Sequence, residues 1–384
     1  MEPGGTSLRS LTVEGYLRLS ADINLQLQAR HLSRRALLRL ILGRAEVSHQ
    51  APLIEAITYL RDGYCDRRRK NGPLAILHPL RTAALLSHTM EQPTILDLLS
   101  ALLHDKEEDL RVEDVGAEEF GRLQTAFEAM RQTIDQDHQW FLGERMAILA
   151  RKPGQSYYAY LGQIVGKARQ MIDLLHTKLA DRLDNTFDIA VQGRGAQERT
   201  FFETAFGALF LPGYQLPAQE FELPPDEETC VLLLSQLFKN AVFMSVLRME
   251  QLDDLDETTA ALFAALADVS RAQAQWVTLE TFHTFIRDPA ARLKVLEETM
   301  KYCQSGGIGA VTTRERGGSL DGTFLDRFAV ADDHVRKVQL AAVYREPELL
   351  ARLMVLFVAI FTCFINDSSY YIRGIDPDGL RAVG

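Results

Sequence analysis

The sequence predicts an all-α protein. Apolar residues recur at spacings of i, i+3, i+4 and i+7 along most of the chain, the pattern of a helix with one buried face. Convincing runs of alternating apolar and polar residues, which would indicate strands, are absent from the sequence. With 384 residues, 47% of them apolar, the chain can bury a sizeable core in two ordinary domains or one large one.

The helical spacing marks twelve segments in chain order. They are residues 33–44, 52–66, 79–91, 95–109, 115–138, 156–190, 196–209, 227–249, 256–285, 287–302, 328–343 and 346–365. Between them, residues 211–228 carry four prolines and no helical period, which predicts a domain boundary or a crossover loop. Residues 304–323 are rich in glycine but lack the GxxxxGK[ST] pattern, so we expect a flexible loop there.

Charge and cysteine content limit the class of protein. The net charge of −10 argues against a general nucleic-acid binder, so no DNA partner is expected. The four cysteines are scattered without a CxxC pair, which favours a reducing cytoplasm over a disulfide framework or a cysteine zinc site. The N-terminus has no apolar core typical of a signal peptide.

The longest uncharged apolar run, residues 353–365, has 13 residues. About 18 are needed to span a bilayer, so we expect a buried core or subunit-interface helix rather than a membrane-associated tail.

The apolar run 95–103 ends in an acidic cluster, His104-Asp105-Lys106-Glu107-Glu108-Asp109. On one continuous helix over 95–109, the three acids at 105, 108 and 109 share a face and repel one another close to the helix C-terminus, where the helix dipole also disfavours anions. A divalent metal beside His104 and Asp105 would supply the compensating charge. A solvated acidic helix end is the alternative.

Three other polar features carry a structural and a functional interpretation. His78 precedes Pro79, the expected first residue of a helix, and a lone histidine in such a place is more often structural. The run 67–70, Arg-Arg-Arg-Lys, precedes an Asn-Gly turn and suits either a solvated surface or phosphate binding. A polar stripe within 178–185 either faces solvent or lines a cleft with Asp181 as a ligand.

Taken together, three segments resemble the hydrolase domain of the RelA/SpoT-type (p)ppGpp pyrophosphohydrolases, a group of the HD phosphohydrolase superfamily that includes the small alarmone hydrolases. The segments are RKNGPLAILHPL (69–80), HDKEED (104–109) and KLADRLDN (178–185), in the order and with the spacing of that family. The resemblance covers roughly residues 40–200 and implies an HD-domain helical bundle.

The resemblance implies one divalent metal ion, typically Mn²⁺, and four residues to hold it. These are His78, His104, Asp105 and Asp181. A mixed set of imidazole and carboxylate ligands with open positions for water suits such an ion.

The resemblance also implies a reaction, the hydrolysis of the 3′-pyrophosphate of guanosine tetraphosphate or pentaphosphate to GDP or GTP plus pyrophosphate. Glu108 and Asp109 match the pair that positions or activates the attacking water. The residues that match the nucleotide-binding side are Arg69, Lys70, Lys178, Arg182 and Asn185.

Two positions differ from the family pattern: Leu110 stands where threonine is usual, and Asp184 where histidine is frequent. An HD phosphohydrolase acting on another nucleotide therefore remains an alternative, and a non-catalytic nucleotide-binding regulatory protein is a second.

The resemblance divides the chain into an N-terminal extension (1–32), a hydrolase domain (33–213) and a C-terminal helical region (225–384). The C-terminal region shows no recognisable synthetase motif. Its role stays open: it could cap the site, form a homo-oligomer through its helices, or sense a second ligand.

Overall fold

The computed structural model confirms the all-α fold. It describes residues 13–29, 33–69, 73–153, 155, 157–190, 229–253, 255–304, 335, 346–367, 375–376 and 379–380. Over these residues the regular secondary structure is helical except for one antiparallel pair of two-residue strands, β1 (Ile375–Asp376) and β2 (Gly379–Leu380), and an isolated antiparallel bridge between Arg68 and Leu74.

The chain forms two compact units. The first contains residues 1–155, 163–192 and 253–266, and the second contains residues 156–162, 193–252 and 267–384. The described helices of the first unit, wholly or in part, are α1 (Val13–Gln28), α2 (Arg34–Leu42), α3 (Ala51–Tyr64), α4 (Leu77–Thr89), α5 (Ile95–Leu103), α6 (Lys106–Asp109), α7 (Val112–Val115), α8 (Ala117–Arg131), α9 (Gln136–Leu149), α10 (Tyr157–Ala168) and α11 (Ile172–Ala190), together with the start of a later helix, Glu257–Phe285.

Helix α4 is the centre of the first unit. It packs against α11, α5, α2 and α1, and all its residues from Leu77 to Ser87 are buried. That burial includes polar side chains, His78 and Arg81 among them, in addition to the apolar ones. Because buried polar groups need partners, the centre of this unit is where a polar network has to form.

Local capping explains several helix ends. Ser33 begins α2 by accepting a hydrogen bond from the amide of Ala36. Thr94 and Asp97 form a capping box at the start of α5, each side chain bonding the backbone amide of the other. Asp135 caps α9 through the amide of His138. Such a cap satisfies an otherwise unpaired amide and begins a new helix.

The predicted single helix over 95–109 is wrong. Helix α5 ends at Leu103, the chain turns at His104 and Asp105, and the short α6 begins at Lys106. Asp105 is the N-cap residue of α6, and its carbonyl accepts from the amides of Glu108 and Asp109. The acids at 107–109 therefore lie within the single turn of a short helix that begins at Lys106, and not at the C-terminus of α5.

Two further segments predicted as single helices are interrupted. Segment 115–138 divides into α8 and α9, since Asp135 starts a new helix. Segment 156–190 divides into α10 and α11, with a turn at 169–171. The predicted helix 196–209 and nearly all of 328–343 lie outside the described residues. Helix α1 and the larger part of α9 were not predicted.

Among the described residues, the second unit contains four helices, wholly or in large part, besides its part of α10. They are α12 (Thr229–Met249), α13 (Glu257–Phe285, whose first ten residues belong to the first unit), α14 (Pro289–Gln304) and α15 (Pro347–Asn366). Helices α14 and α15 pack together around Ile286, Val295 and Val355. The apolar run 353–365 is mostly buried within α15, as expected for a core helix. Within the described ranges, none of the helices combines the length and apolar character that a membrane crossing requires.

Candidate metal centre

Two histidines from different helices meet at the centre of the first unit. His78 lies in the first turn of α4, and His104 is the C-cap residue that directly follows α5. Their Nε2 atoms are 3.1 Å apart, and the two side chains are about 3% exposed. The turn after α5, which interrupts the predicted helix, directs His104 and Asp105 to the same point.

Two carboxylates complete the cluster. The Oδ2 atom of Asp105 lies 3.2 Å from the Nε2 atoms of both histidines. The Oδ1 atom of Asp181, from α11, lies 3.2 Å from His78 Nε2 and 3.8 Å from His104 Nε2. The structure therefore brings together the four residues proposed as metal ligands, which come from α4, the α5–α6 turn and α11.

The other nitrogen of each imidazole fixes its protonation. His104 Nδ1 lies 2.8 Å from the carbonyl oxygen of Ala101, which can only accept, so this nitrogen carries the proton. His78 Nδ1 donates in the same way to the carboxylate of Asp184, at 2.7 Å. In neutral rings the two Nε2 atoms then carry lone pairs, and both lone pairs point into the pocket.

This donor set fits a divalent metal ion. Two nitrogen lone pairs and two carboxylate oxygens converge, and such acceptors repel one another unless a cation lies between them. In metal sites, a histidine ligand usually donates its second ring nitrogen to an acceptor that holds the ring in place. His104 has such an acceptor in the carbonyl of Ala101, and His78 has one in Asp184. Over the described residues, His78, His104 and Asp105 also form a cluster with mutual ligand-atom distances compatible with one ion.

The charge of the pocket favours a cation as well. Burial lowers the pKa of His78 and nearby Arg69 lowers it further, but hydrogen bonds to Asp105, Asp181 and Asp184 raise it to about 9. Burial likewise lowers the pKa of His104, while the charge of Asp105 raises it well above its ordinary value. The carboxylates thus favour a positive charge beside the two imidazoles. A metal ion bound in place of the added imidazole protons would supply that charge.

The two acids proposed for catalysis lie one turn beyond the ligands. Glu108 accepts a hydrogen bond from the backbone amide of Arg151 at 2.7 Å, and Asp109 accepts one from the hydroxyl of Tyr64 at 2.8 Å. Burial raises the pKa of Glu108 and of Asp109, and the negative charge of Asp105 raises both further. A carboxylate with a raised pKa is a better proton acceptor near neutral pH.

Three of the residues proposed to bind the substrate surround Asp181. Lys178 donates to its Oδ2 atom at 2.6 Å, and Asn185 donates to its Oδ1 atom at 2.5 Å. Arg69 donates to the side-chain oxygen of Asn185 at 3.0 Å. Arg182 is buried on α11, and Lys70 lies outside the described residues.

Four side chains that the sequence did not single out for a role support the cluster. Asp184, Arg81 and Tyr16 lie behind His78, and Tyr64 holds Asp109. Helical spacing offered one signal, since Arg81 is three residues after His78 and Asp184 three after Asp181, so each follows a proposed ligand by about one turn. Tyr16 and Tyr64 carried no such signal.

Leu110, the residue that replaces the usual threonine, has a packing role. It is 4% exposed and lies against Gly63 of α3, where an added Cβ would come within 2.8 Å of Leu110 Cδ1. The chain after Asp109 is therefore anchored to α3 through an apolar contact. This contact lies at the same end of α3 as Tyr64, which bonds Asp109.

Comparisons with known proteins gave no match: no protein-family model, no curated protein and no solved structure is similar to this chain at a significant level.

Proposed function

We propose that this protein is a metal-dependent phosphohydrolase of the HD type that removes the 3′-pyrophosphate of guanosine alarmones, giving GDP or GTP plus pyrophosphate. The observation that carries the proposal is the convergence of His78, His104, Asp105 and Asp181 on one buried point beside a carboxylate pair. These four residues would hold a single divalent ion, with Mn²⁺ as the expected metal.

The chemistry that such an ion supplies is a lower pKa for bound water and a polarised phosphoryl oxygen. The chain's own residues supply the rest. Glu108 and Asp109 accept the proton of the attacking water, since burial has made both more basic than ordinary acids. Tyr64 holds Asp109 in position through a partly buried hydrogen bond.

A phosphorylated nucleotide suits the cationic residues beside the cluster. Arg69, Lys178 and Asn185 form a connected chain of hydrogen bonds around Asp181. Arg69 is more accessible than Lys178, with 27% of its side chain exposed against 10%. Its planar guanidinium suits a phosphate or a stacked base. The guanosine part of the proposal rests on the three sequence segments that resemble the alarmone hydrolases.

The same proposal includes a cytoplasmic location, because scattered cysteines without a CxxC pair suit a reducing compartment. It also includes self-association through the C-terminal helices as one role for that region.

A panel of nucleotides tests the proposal. The purified full-length chain is incubated with Mn²⁺ and ppGpp, pppGpp, GTP or deoxynucleoside monophosphates, and released pyrophosphate and orthophosphate are measured separately. We expect pyrophosphate from ppGpp and pppGpp, and none from the His104→Ala variant assayed as a control for contaminating enzymes. Orthophosphate from a deoxynucleotide would assign a different substrate, and no release from any nucleotide would favour a binding protein.

A further inference from the structure

A buried carboxylate lies behind His78, at the ring nitrogen that faces away from the metal pocket. Asp184 is fully buried on α11, and its Oδ2 atom lies 2.7 Å from His78 Nδ1. The two residues are 106 positions apart in the sequence, so their contact depends on the packing of α4 against α11.

Three other hydrogen bonds hold Asp184 in place. Arg81, one turn after His78 on α4, donates from Nε to Oδ1 at 2.8 Å and from Nη2 to Oδ2 at 3.1 Å. Tyr16 of α1 donates to Oδ1 at 3.0 Å and stacks on Phe187 with 4.7 Å between ring centroids. Because Arg81 donates to both oxygens and Tyr16 donates to one of them, the carboxylate of Asp184 is held with an acceptor oxygen toward His78 Nδ1.

We propose that Asp184 is a positioning residue that fixes the tautomer and the orientation of His78, so that its Nε2 lone pair points into the metal pocket. The proposal rests on the metal site of the proposed function but not on its substrate. An acceptor at Nδ1 keeps the proton on that nitrogen and leaves Nε2 free to bind a metal. The contact also prevents the ring from rotating about its χ2 angle.

The network extends the site to α1. Tyr16 supplies one of the donors to Asp184, and α1 lies before the stretch that resembles the alarmone hydrolases. Helix α1 therefore contributes to the geometry of the proposed metal pocket, because Tyr16 holds Asp184 and Asp184 in turn holds His78.

An asparagine at position 184 discriminates between positioning and packing. If its amide nitrogen faced His78, the ring would have to accept at Nδ1 and carry its proton on Nε2, which prevents metal binding there. If its oxygen faced His78, its amide nitrogen would oppose the donors of Arg81. Both orientations weaken the metal site while the volume of the side chain is unchanged.

The test is calorimetric titration of Mn²⁺ into the metal-stripped full-length chain, without nucleotide. We expect Asp184→Asn to bind Mn²⁺ about 10- to 100-fold more weakly than the wild type. The matched control is Asp188→Asn. Asp188 is also buried, and the ion pairs described for it are with Arg81 at 2.9 Å and Arg69 at 3.6 Å rather than with His78. This control variant should lose thermal stability but bind Mn²⁺ close to the wild-type affinity.

Equal Mn²⁺ affinity in wild type and Asp184→Asn would overturn the proposal, as would equal losses in Asp184→Asn and Asp188→Asn. Failure of the wild type to bind Mn²⁺ would overturn it together with the metal site. Mn²⁺ binding without any nucleotide cleavage would instead remove the proposed function and leave the positioning role intact.

A second measurement needs no variant at position 184. In the Zn²⁺-loaded wild type, long-range ¹H–¹⁵N correlation of histidine rings should show His78 with its proton on Nδ1 and with Nε2 shifted by the metal. The signal is identified by its loss in His78→Gln. A proton on Nε2, or metal at Nδ1, would overturn the assignment even if Asp184→Asn did not fold.

Discussion

Tyr64→Phe removes a single oxygen atom from the hydrogen bond that holds Asp109. The Tyr64 side chain is almost fully buried at the end of α3, and its hydroxyl donates to Asp109 Oδ2 at 2.8 Å. Phenylalanine keeps the ring and its packing, so the change isolates the hydrogen bond. A hydrogen bond to a charged group contributes about 1.5–3 kcal/mol to stability. Asp109 is only half-buried and water replaces part of the bond, so we expect a loss near 1.5 kcal/mol.

The catalytic effect follows from the same bond. With Asp109 free to rotate, the fraction of molecules with the carboxylate correctly placed falls, and a loss of about 1.4 kcal/mol corresponds to a tenfold lower turnover number. Mn²⁺ affinity should change little, because the hydrogen bond described for the Tyr64 hydroxyl is to Asp109 and not to one of the four proposed ligands. The assays are urea denaturation, pyrophosphate release under saturating substrate, and Mn²⁺ titration.

Tyr59→Phe is the matched control. Tyr59 lies on the same helix and is 3% exposed, but its ring neighbours Phe127, with 5.5 Å between centroids. This variant should keep the wild-type turnover number. The reasoning is refuted if Tyr64→Phe and Tyr59→Phe have the same turnover number, or if Tyr64→Phe also loses Mn²⁺.

Three other predictions test neighbouring parts of the site. Gly63→Ala places a Cβ 2.8 Å from Leu110 Cδ1, so overpacking of about 1–3 kcal/mol exceeds the helix-propensity gain of about 1 kcal/mol. Leu110→Val in the same chain should restore stability in urea denaturation, whereas additive losses would exclude a steric cause. Glu108→Gln and Asp109→Asn should each keep Mn²⁺ and lose turnover by about 10²-fold or more, and wild-type turnover in both would remove their role as proton acceptors. Arg69→Ala should raise KM more than it lowers kcat. The control is Arg61→Ala, which should change neither constant, because Arg61 is an exposed residue of α3 that pairs with Asp62. An unaltered KM for Arg69→Ala would exclude a substrate contact.

The sequence singled out the four side chains that meet in the structure but not the geometry that joins them. His104 and Asp105 were placed on a continuous helix because the residues on both sides fit the helical period. The chain turns there instead, and Asp105 starts a new helix. Neighbouring residues cannot reveal such a turn, since the contacts that accompany it come from α4 and α11.

Helices α1 and α9 escaped prediction for a common reason: each carries apolar residues on its exposed face. Leu25 of α1 is 67% exposed and Trp140 of α9 is 62% exposed. These residues hide the helical period that the buried residues would otherwise show. Asp184 stood out only as a departure from the family pattern, because its partner His78 is distant in the sequence and their contact is set by tertiary packing.

The central claim is that four side chains bind one divalent ion, and electron paramagnetic resonance of Mn²⁺ measures this directly. Mn²⁺ is titrated into the metal-stripped full-length chain, and the loss of the free-ion signal gives the number of bound ions. We expect one ion per chain for the wild type and none at the same concentrations for His104→Ala or Asp181→Ala, with helical content by circular dichroism unchanged. A wild-type titration indistinguishable from those of the two variants would contradict the account.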